Sequence, residues 1–398
     1  MGHLNDDGMK PVYILNDNII SSLGFMTAEN VAAIEKGAIG IRLVDDPDLY
    51  PTPVQLSLVD TGELNKRFSA LPELLKKNIP AGSFTRLEKF MILSVHEALA
   101  GMPVIPGDPR TLLVLSTTKG NINLLEARYQ SSFSHKRLYL WELGRVIQQF
   151  FGFINPPVII SNACISGIVA LMTASRFLKS GAYDHAVVTG GDINSEFVIA
   201  GFQSFQAISP IPCKPFDLNR TGLSLGEGCG TMVLSVVPGR GANPGITITG
   251  AAATNDANHI SGPSRTGQEL ADAIGLAMQE ASLTPKEIGF ISAHGTATSF
   301  NDEMESKAFE LAGLVQVPVN SFKGYWGHTL GAAGMIESIA SVSSLKENIL
   351  YPSAGFDTIG VPVPLNVIKS VTRGQINACL KTASGFGGCN AAITLQKV

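Results

Sequence analysis

Cys164 sits in S-N-A-C-I-S-G, where the apolar run P-V-I-I-S at 157–161 gives way to a helical pattern. A cysteine at a helix N-terminus meets orphan N–H groups and the positive end of the helix dipole, which lower the thiol pKa and favour a nucleophilic thiolate. Its own backbone N–H could face an oxyanion, as in a strained strand-to-helix nucleophile turn. His294 opens H-G-T-A-T after G-F-I-S-A, and His328 lies in K-G-Y-W-G-H-T-L-G-A-A-G. Both are flanked by glycine, which lets a ligand come close. Taken singly, this cysteine reads equally well as a small buried core residue, and each histidine as a satisfied structural one. His3, His96, His135, His185 and His259 have no comparable setting, and no His/Cys spacing points to a metal site. Gly385 to Gly388 (G-F-G-G) reads as a tight turn or as a mobile loop near a ligand, with Phe386 as a backbone donor and an apolar lid. Thr296 and Thr298 alternate after His294, so their hydroxyls could line the path of an extended amide; ordinary turn chemistry explains them too.

Positioning such groups takes elements that end together. L-L-V-L-S-T-T at 112–118, P-V-I-I-S at 157–161, H-A-V-V-T-G at 185–190 and T-M-V-L-S-V at 231–236 read as strands. The segment between Ser161 and His185 reads as a helix, which makes a βαβ unit with a parallel sheet. Strands at 245–251, 289–293 and 318–322 alternate with helices at 268–281, 301–311 and 331–348, and two strands at 375–383 and 391–396 close the chain. The first half adds a strand and turn over 12–23 and a helix over 28–36. V-P-G-R-G-A-N-P-G at 237–245 is the linker candidate, dividing the chain into halves at 11–240 and 241–398. From Ala163 to Leu178 no face is polar before Arg176, so that helix is expected to be buried on all sides, sandwiched between two sheets. Loops after strand C-termini gather on one side of a parallel sheet, so the cysteine and both histidines can meet there.

The whole chain has 398 residues, 16% charged and 45% apolar, with a net charge of −4. That excludes a disordered chain and disfavours a nucleic-acid binder. No uninterrupted apolar stretch is long enough to span a membrane, and Met1 to Lys10 lacks the order of a secretory signal. The five cysteines have no C-x-x-C spacing, which fits a reduced cytoplasmic protein.

The chain resembles the elongating β-ketoacyl-acyl-carrier-protein synthases, condensing enzymes of thiolase fold. The matching pieces are N-A-C-I-S-G at Cys164, P-F-D-L-N-R-T-G-L-S-L-G-E-G at 215–228, H-G-T-A-T-S-F-N-D at 294–302, K-G-Y-W-G-H-T-L-G-A-A-G at 323–334 and G-F-G-G-C-N at 385–390. They cover the chain from about residue 11 onward. The resemblance implies an α/β fold of duplicated halves in five layers (αβαβα) with buried central helices. It implies that Cys164 takes an acyl chain as a thioester and that His294 and His328 hold the malonyl thioester oxygen while CO₂ leaves. It further implies that the backbone N–H groups of Cys164 and Phe386 form the oxyanion hole and that Phe386 is the gating residue of a mobile loop. Lys323 matches the family's active-site lysine and is expected to pair with Glu337 or Glu305, ordering the histidine loop. Substrate contacts are implied for Thr296, Thr298, Ile165, Phe202 and Gly387. Asp217 and Glu227 are assigned to structure. No metal or redox cofactor is implied, since the substrate rides on the phosphopantetheine of an acyl carrier protein. The implied assembly is a homodimer, with a heterodimer containing a ketosynthase-like paralogue as the alternative.

Several residues depart from the family pattern. Ile165 follows the nucleophile and is expected to change the floor of the acyl pocket. Ser384, Cys389 and Gln206 stand where Phe, Thr and a carrier-docking Arg are usual, while Arg86 and Lys89 keep basic character at a second docking patch. Within fatty acid or related polyketide biosynthesis, the shortened segment between Thr118 and Pro156, Gln206 and Ile165 lean toward the alternative of an aryl polyene or type II polyketide ketosynthase over general fatty-acid elongation. A non-catalytic chain-length-factor partner is disfavoured because Cys164, His294, His328 and Lys323 are all present. A degradative thiolase is disfavoured by the two histidine motifs, although Cys389 lies near the G-F-G-G loop.

Overall fold

The computed structural model describes residues 10–72, 84–129, 132–239, 245–257 and 262–398. The linker candidate therefore falls partly outside the described residues, as do His3 and His259.

Ten strands form the framework. The first five are β1 (Val12–Ile20), β2 (Thr111–Ser116), β3 (Val158–Ile160), β4 (His185–Asp192) and β5 (Gly228–Ser235). The second five are β6 (Ile246–Asn255), β7 (Phe290–Ser292), β8 (Val319–Asn320), β9 (Ala378–Gly385) and β10 (Cys389–Lys397). The sheet order is β8-β7-β9-β10-β6-β1-β5-β4-β2-β3. Counted from the strand that starts each half, both halves have the same order, third-second-fourth-fifth-first. In both, the second strand is parallel to the third and fourth, while the fifth is antiparallel to its neighbours. The halves join through a short ladder, Val12 to Ile14 against Ile246 to Ile248.

Helices divide this framework into layers. The helices α1 (Arg86–Leu99) and α2 (Leu140–Phe151) pack on the outer face of the first half. Next come α3 (Ser166–Lys179), α4 (Glu196–Ser204), α5 (Gln268–Glu280), α6 (Ser299–Leu311) and α7 (Ala333–Glu347). The outer side of the second half is covered by α5, with α6 against it, while α3 and α7 each contact strands of both halves and each other. The result is the five-layer αβαβα sandwich of the thiolase fold. Glycines set the central crossing. A Cβ on Gly167 would lie 2.5 Å from Met335 N, and one on Gly334 would lie 2.7 Å from Ile168 N. Only residues without side chains let the two helices touch backbone to backbone near their N-termini, and that contact brings the loops before them together.

The helix buried on every side is α7, from Ala333 to Leu345, rather than the 163–178 helix for which that burial is expected. In α3, Val169 and Thr173 are half-buried and Arg176 and Phe177 are exposed. That stripe continues onto the edge strand β3, also half-buried along its length. Sequence patterning did not separate out α1, α2, α4 or the small sheet of Ile41–Val44, Val54–Ser57 and Leu225–Gly226.

Candidate active site

The loops at the carboxyl ends of the parallel strands converge on a cavity of about 350 Å³. Cys164 reaches it from the turn between β3 and α3. Ala163 carries a φ of 42°, a left-handed conformation that an alanine rarely adopts. Ser166 holds the turn: Oγ accepts from Asn162 N (2.8 Å) and donates to Ala163 O (2.6 Å). Gly385, at the end of β9, presses against it, and a Cβ there would lie 3.0 Å from Cys164 N. Phe386 is therefore beside the nucleophile turn by the shape of the backbone.

His294 follows β7. Glu305, on α6, accepts from His294 N (2.8 Å) and Gly295 N (2.6 Å), and also from Asn301 and Thr382. Asp302 accepts from Thr296 N (2.9 Å) and Phe216 N (2.7 Å), tying the histidine loop to the 215–228 segment. Burial pushes the Asp302 carboxyl up to about 7, with Glu305 adding to the shift. Beneath the loop, Lys323 Nζ donates to His294 O (2.5 Å), to Glu337 Oε1 (2.7 Å) and to His294 Nδ1 (3.2 Å). Of the two acids expected for Lys323, Glu337 is the partner; Glu305 instead clamps backbone amides. Glu337 also meets Lys381 at 2.6 Å, and Lys381 donates to the carbonyls of Ser292, Ala293 and Thr382. Both lysines are wholly buried.

His328 is pinned by the strand at Leu225: its N–H donates to Ser224 O (2.7 Å) and its carbonyl accepts from Gly226 N (3.0 Å). Its Nδ1 accepts from Leu330 N (3.3 Å). Asp192, buried at the end of β4, accepts from Gly331 N (2.7 Å) and from Thr117 and Thr118, locking this loop to the first half.

These contacts fix the tautomers. An ammonium and a backbone N–H can only donate, so Nδ1 of both histidines accepts and the proton sits on Nε2. Burial holds both imidazoles well below their ordinary value, helped by Lys323 and other nearby cations, so both are neutral. One donor or acceptor atom from each of Cys164, His294 and His328 lies within 4.8 Å of the others, and the two rings meet edge to face at 5.1 Å. A soft cation could use such a set, but Nε2–H groups fixed from behind are hydrogen-bond donors rather than free ligand lone pairs. The thiol departs from expectation. Burial pushes Cys164 up to about 12, Cys389 adds to the rise, and Lys323 and Lys119 pull the other way. Desolvation outweighs the helix N-terminus, and the resting group is a thiol.

Thr296 and Thr298 line the cavity with their hydroxyls 2.8 Å apart. Phe202 and Phe386 line it too, with rings 5.7 Å apart. Ile165 does not: it is buried in the central core. Gly387 is exposed at the turn and is not part of the lining. Asp217 accepts from Asn219, Asp357 and Thr358 amides, a structural role as expected. Arg86 pairs with buried Glu227, also donating to Val59 O, and Lys89 donates to Asn65. Of the two expected docking cations, Arg86 is thus paired inside the chain, while Lys89 meets only a neutral amide and keeps its charge. Sequence reasoning passed over Lys381, Asp302 and Asp192. A lysine inside the apolar strand C-L-K-T-A-S was the one available signal.

The profile described as Beta-ketoacyl synthase, N-terminal domain matches residues 140–237, and that described as Beta-ketoacyl synthase, C-terminal domain matches 246–357. "Putative polyketide beta-ketoacyl synthase 1" of Streptomyces virginiae is 32% identical over 302 residues, 69% of each chain. "Nodulation protein E" of Rhizobium leguminosarum bv. trifolii is 32% identical over 402 residues, 95% of this chain and 97% of that one. Among solved structures, "Ketosynthase (ApeO) in Complex with its Chain Length Factor (ApeC) from Xenorhabdus doucetiae" superposes with a TM-score of 0.83 at 25% identity, covering 98% of both chains.

Proposed function

The chain belongs to the beta-ketoacyl synthase family, and from that premise we propose how its residues carry out the condensation. The family's reaction is a decarboxylative Claisen condensation in polyketide or fatty acid synthesis. Cys164 Sγ attacks the thioester of an acyl carrier protein, and the sulfur's proton ends on the departing carrier thiol. Malonyl carrier then enters. Nε2–H of His294 and of His328 donates to its thioester oxygen as CO₂ leaves and enolate charge builds there. The carbanion attacks the acyl-Cys164 carbonyl, whose oxyanion is held by the N–H groups of Cys164 and Phe386. Collapse of the tetrahedral adduct breaks the C–S bond, leaves a 3-oxoacyl carrier and expels the Cys164 thiolate, which takes a proton from solvent to return to the resting thiol. Lys323, Lys381, Glu337 and Glu305 are positioning residues. Decarboxylation supplies the driving force, so the reading calls for no resident cofactor or metal.

The observation that carries this reading is the meeting of a thiol with two neutral, Nε2-protonated imidazoles within 4.8 Å. Burial of the thiol is compatible with it, because thioester exchange needs no standing thiolate. The same meeting favours a catalytic subunit over a non-catalytic partner. We assign it to a specialised pathway rather than general elongation on Gln206 and the shortened 118–156 segment; its relatives include both a polyketide synthase and a 3-oxoacyl-[acyl-carrier-protein] synthase 2, each 32% identical.

We further infer a dimer through the half-buried edge strand β3 and the exposed stripe of α3, either with a second copy or with a ketosynthase-like paralogue. Five unpaired buried cysteines support a cytoplasmic setting. No helix among the described residues is long and apolar enough to cross a membrane. Incubation with malonyl and acyl carrier proteins, followed by mass analysis of the carrier, tests the reaction: 3-oxoacyl carrier and released CO₂ are expected. Acyl exchange without CO₂ would contradict it.

A further inference from the structure

The mouth of the catalytic cavity is aromatic. Phe300 is 75% exposed, Phe205 58% and Phe386 41%, and all three line the same cavity as Cys164. Phe205 packs against Phe386 with ring centroids 5.3 Å apart and the rings tilted by 40°. Among the described residues that line the cavity, none carries a formal charge. Three large aromatic side chains left in water at one opening mark a surface that a partner covers.

The occupant follows from the site. A thioester tethered to a protein must pass this mouth to reach Cys164, and the tether keeps the body of its carrier against the rim. Charge at this mouth is sparse: Arg86 is paired with Glu227, Gln206 beside Phe205 is neutral, and the cations left without a carboxylate among the described residues are Lys89, which donates to neutral Asn65, and Arg265, exposed next to Ser264. We infer that Phe205 and Phe300 form an aromatic docking platform for a carrier protein whose surface around the tethered arm is apolar, so that docking is governed by burial rather than by charge pairing. This rests on the condensing-enzyme reading and adds the chemistry of its partner.

The test compares one acyl group presented on the cognate holo-carrier and on free pantetheine. The F205A/F300A double variant should raise the ratio of the two KM values by about tenfold. For the unaltered protein, KM for the carrier should change less than roughly threefold between low and high salt, since apolar burial is not screened. R265A removes the exposed cation next to Ser264 of the lining and should leave the ratio within about twofold. An unchanged ratio in F205A/F300A would overturn the platform, as would a larger loss in R265A with steep salt dependence. Parallel rises in both KM values would place the two aromatics on the arm rather than on the carrier, and would also overturn it. If the unaltered protein turned over neither thioester, the condensing-enzyme reading would fall and the platform with it.

Discussion

Cys164 and His328 occupy the same place in the two halves. Each lies between the third strand and the helix that follows it, β3–α3 in one half and β8–α7 in the other. The surroundings differ sharply. The cysteine turn is held by neutral bonds from Ser166 and by the shape of Gly385. The histidine half stands on buried charge, with Glu337 between Lys323 and Lys381, and Glu305 beneath His294. A nucleophile needs exposure at one angle, which backbone shape supplies. Histidines that must remain neutral donors need their rear nitrogens occupied, and a fixed ammonium does that for His294. One topology thus hosts two solutions, because the two loops have different chemical tasks.

The largest effect expected from this contrast is in Cys164→Ala. Condensation should fall on the order of 10⁴-fold or more, while release of CO₂ from malonyl carrier continues, since that step belongs to the other half. Loss of both activities together would erase the division of labour. Next is Lys381→Met, which strands part of Glu337's charge. Urea unfolding should show a loss of ~3–5 kcal/mol, whereas Ser166→Ala in the neutral turn should cost about 1 kcal/mol. Equal costs would mean that the charge network is not what distinguishes the halves.

His294→Ala and His328→Ala each remove one donor from the developing enolate. Each should slow CO₂ release by roughly 10²–10³-fold, measured with malonyl carrier alone. A further effect is in stability against pH. Both imidazoles are held below the ordinary value of 6.5, so below that pH the unfolded chain binds protons that the folded chain refuses. Their share of stability is complete above 6.5 and declines as pH falls, by up to about 1.4 kcal/mol per pH unit for each histidine. The H294A/H328A double variant should therefore show a shallower decline than the unaltered protein in urea titrations below that pH. Identical slopes would mean that the histidines titrate normally.

Much of this was legible in the sequence. Strand-length apolar runs ending in Gly, Thr or a helical pattern predicted the loops that meet, and five motifs carried the family. Each catalytic candidate lies where its local signal is strongest, at a strand-to-helix junction. What escaped was set by tertiary contact. Whether Lys323 chose Glu337 or Glu305 depends on where α6 and α7 lie in three dimensions. The helix-terminus rule predicted an acidic thiol at Cys164, but desolvation at the centre of five layers reversed it. Ile165 read as a pocket residue from its neighbour in sequence, yet the start of α3 turns it into the core. Arg86 read as a docking cation, and no local pattern reveals that Glu227, distant in sequence, pairs with it.

The central claim is that the acyl group rides on one sulfur. Intact-mass analysis after mixing with a panel of acyl carriers, followed by peptide mapping, reads this directly. The account predicts a single acyl adduct on Cys164 that disappears in Cys164→Ala. An adduct that persists in that variant, or that maps to Cys389, would contradict it.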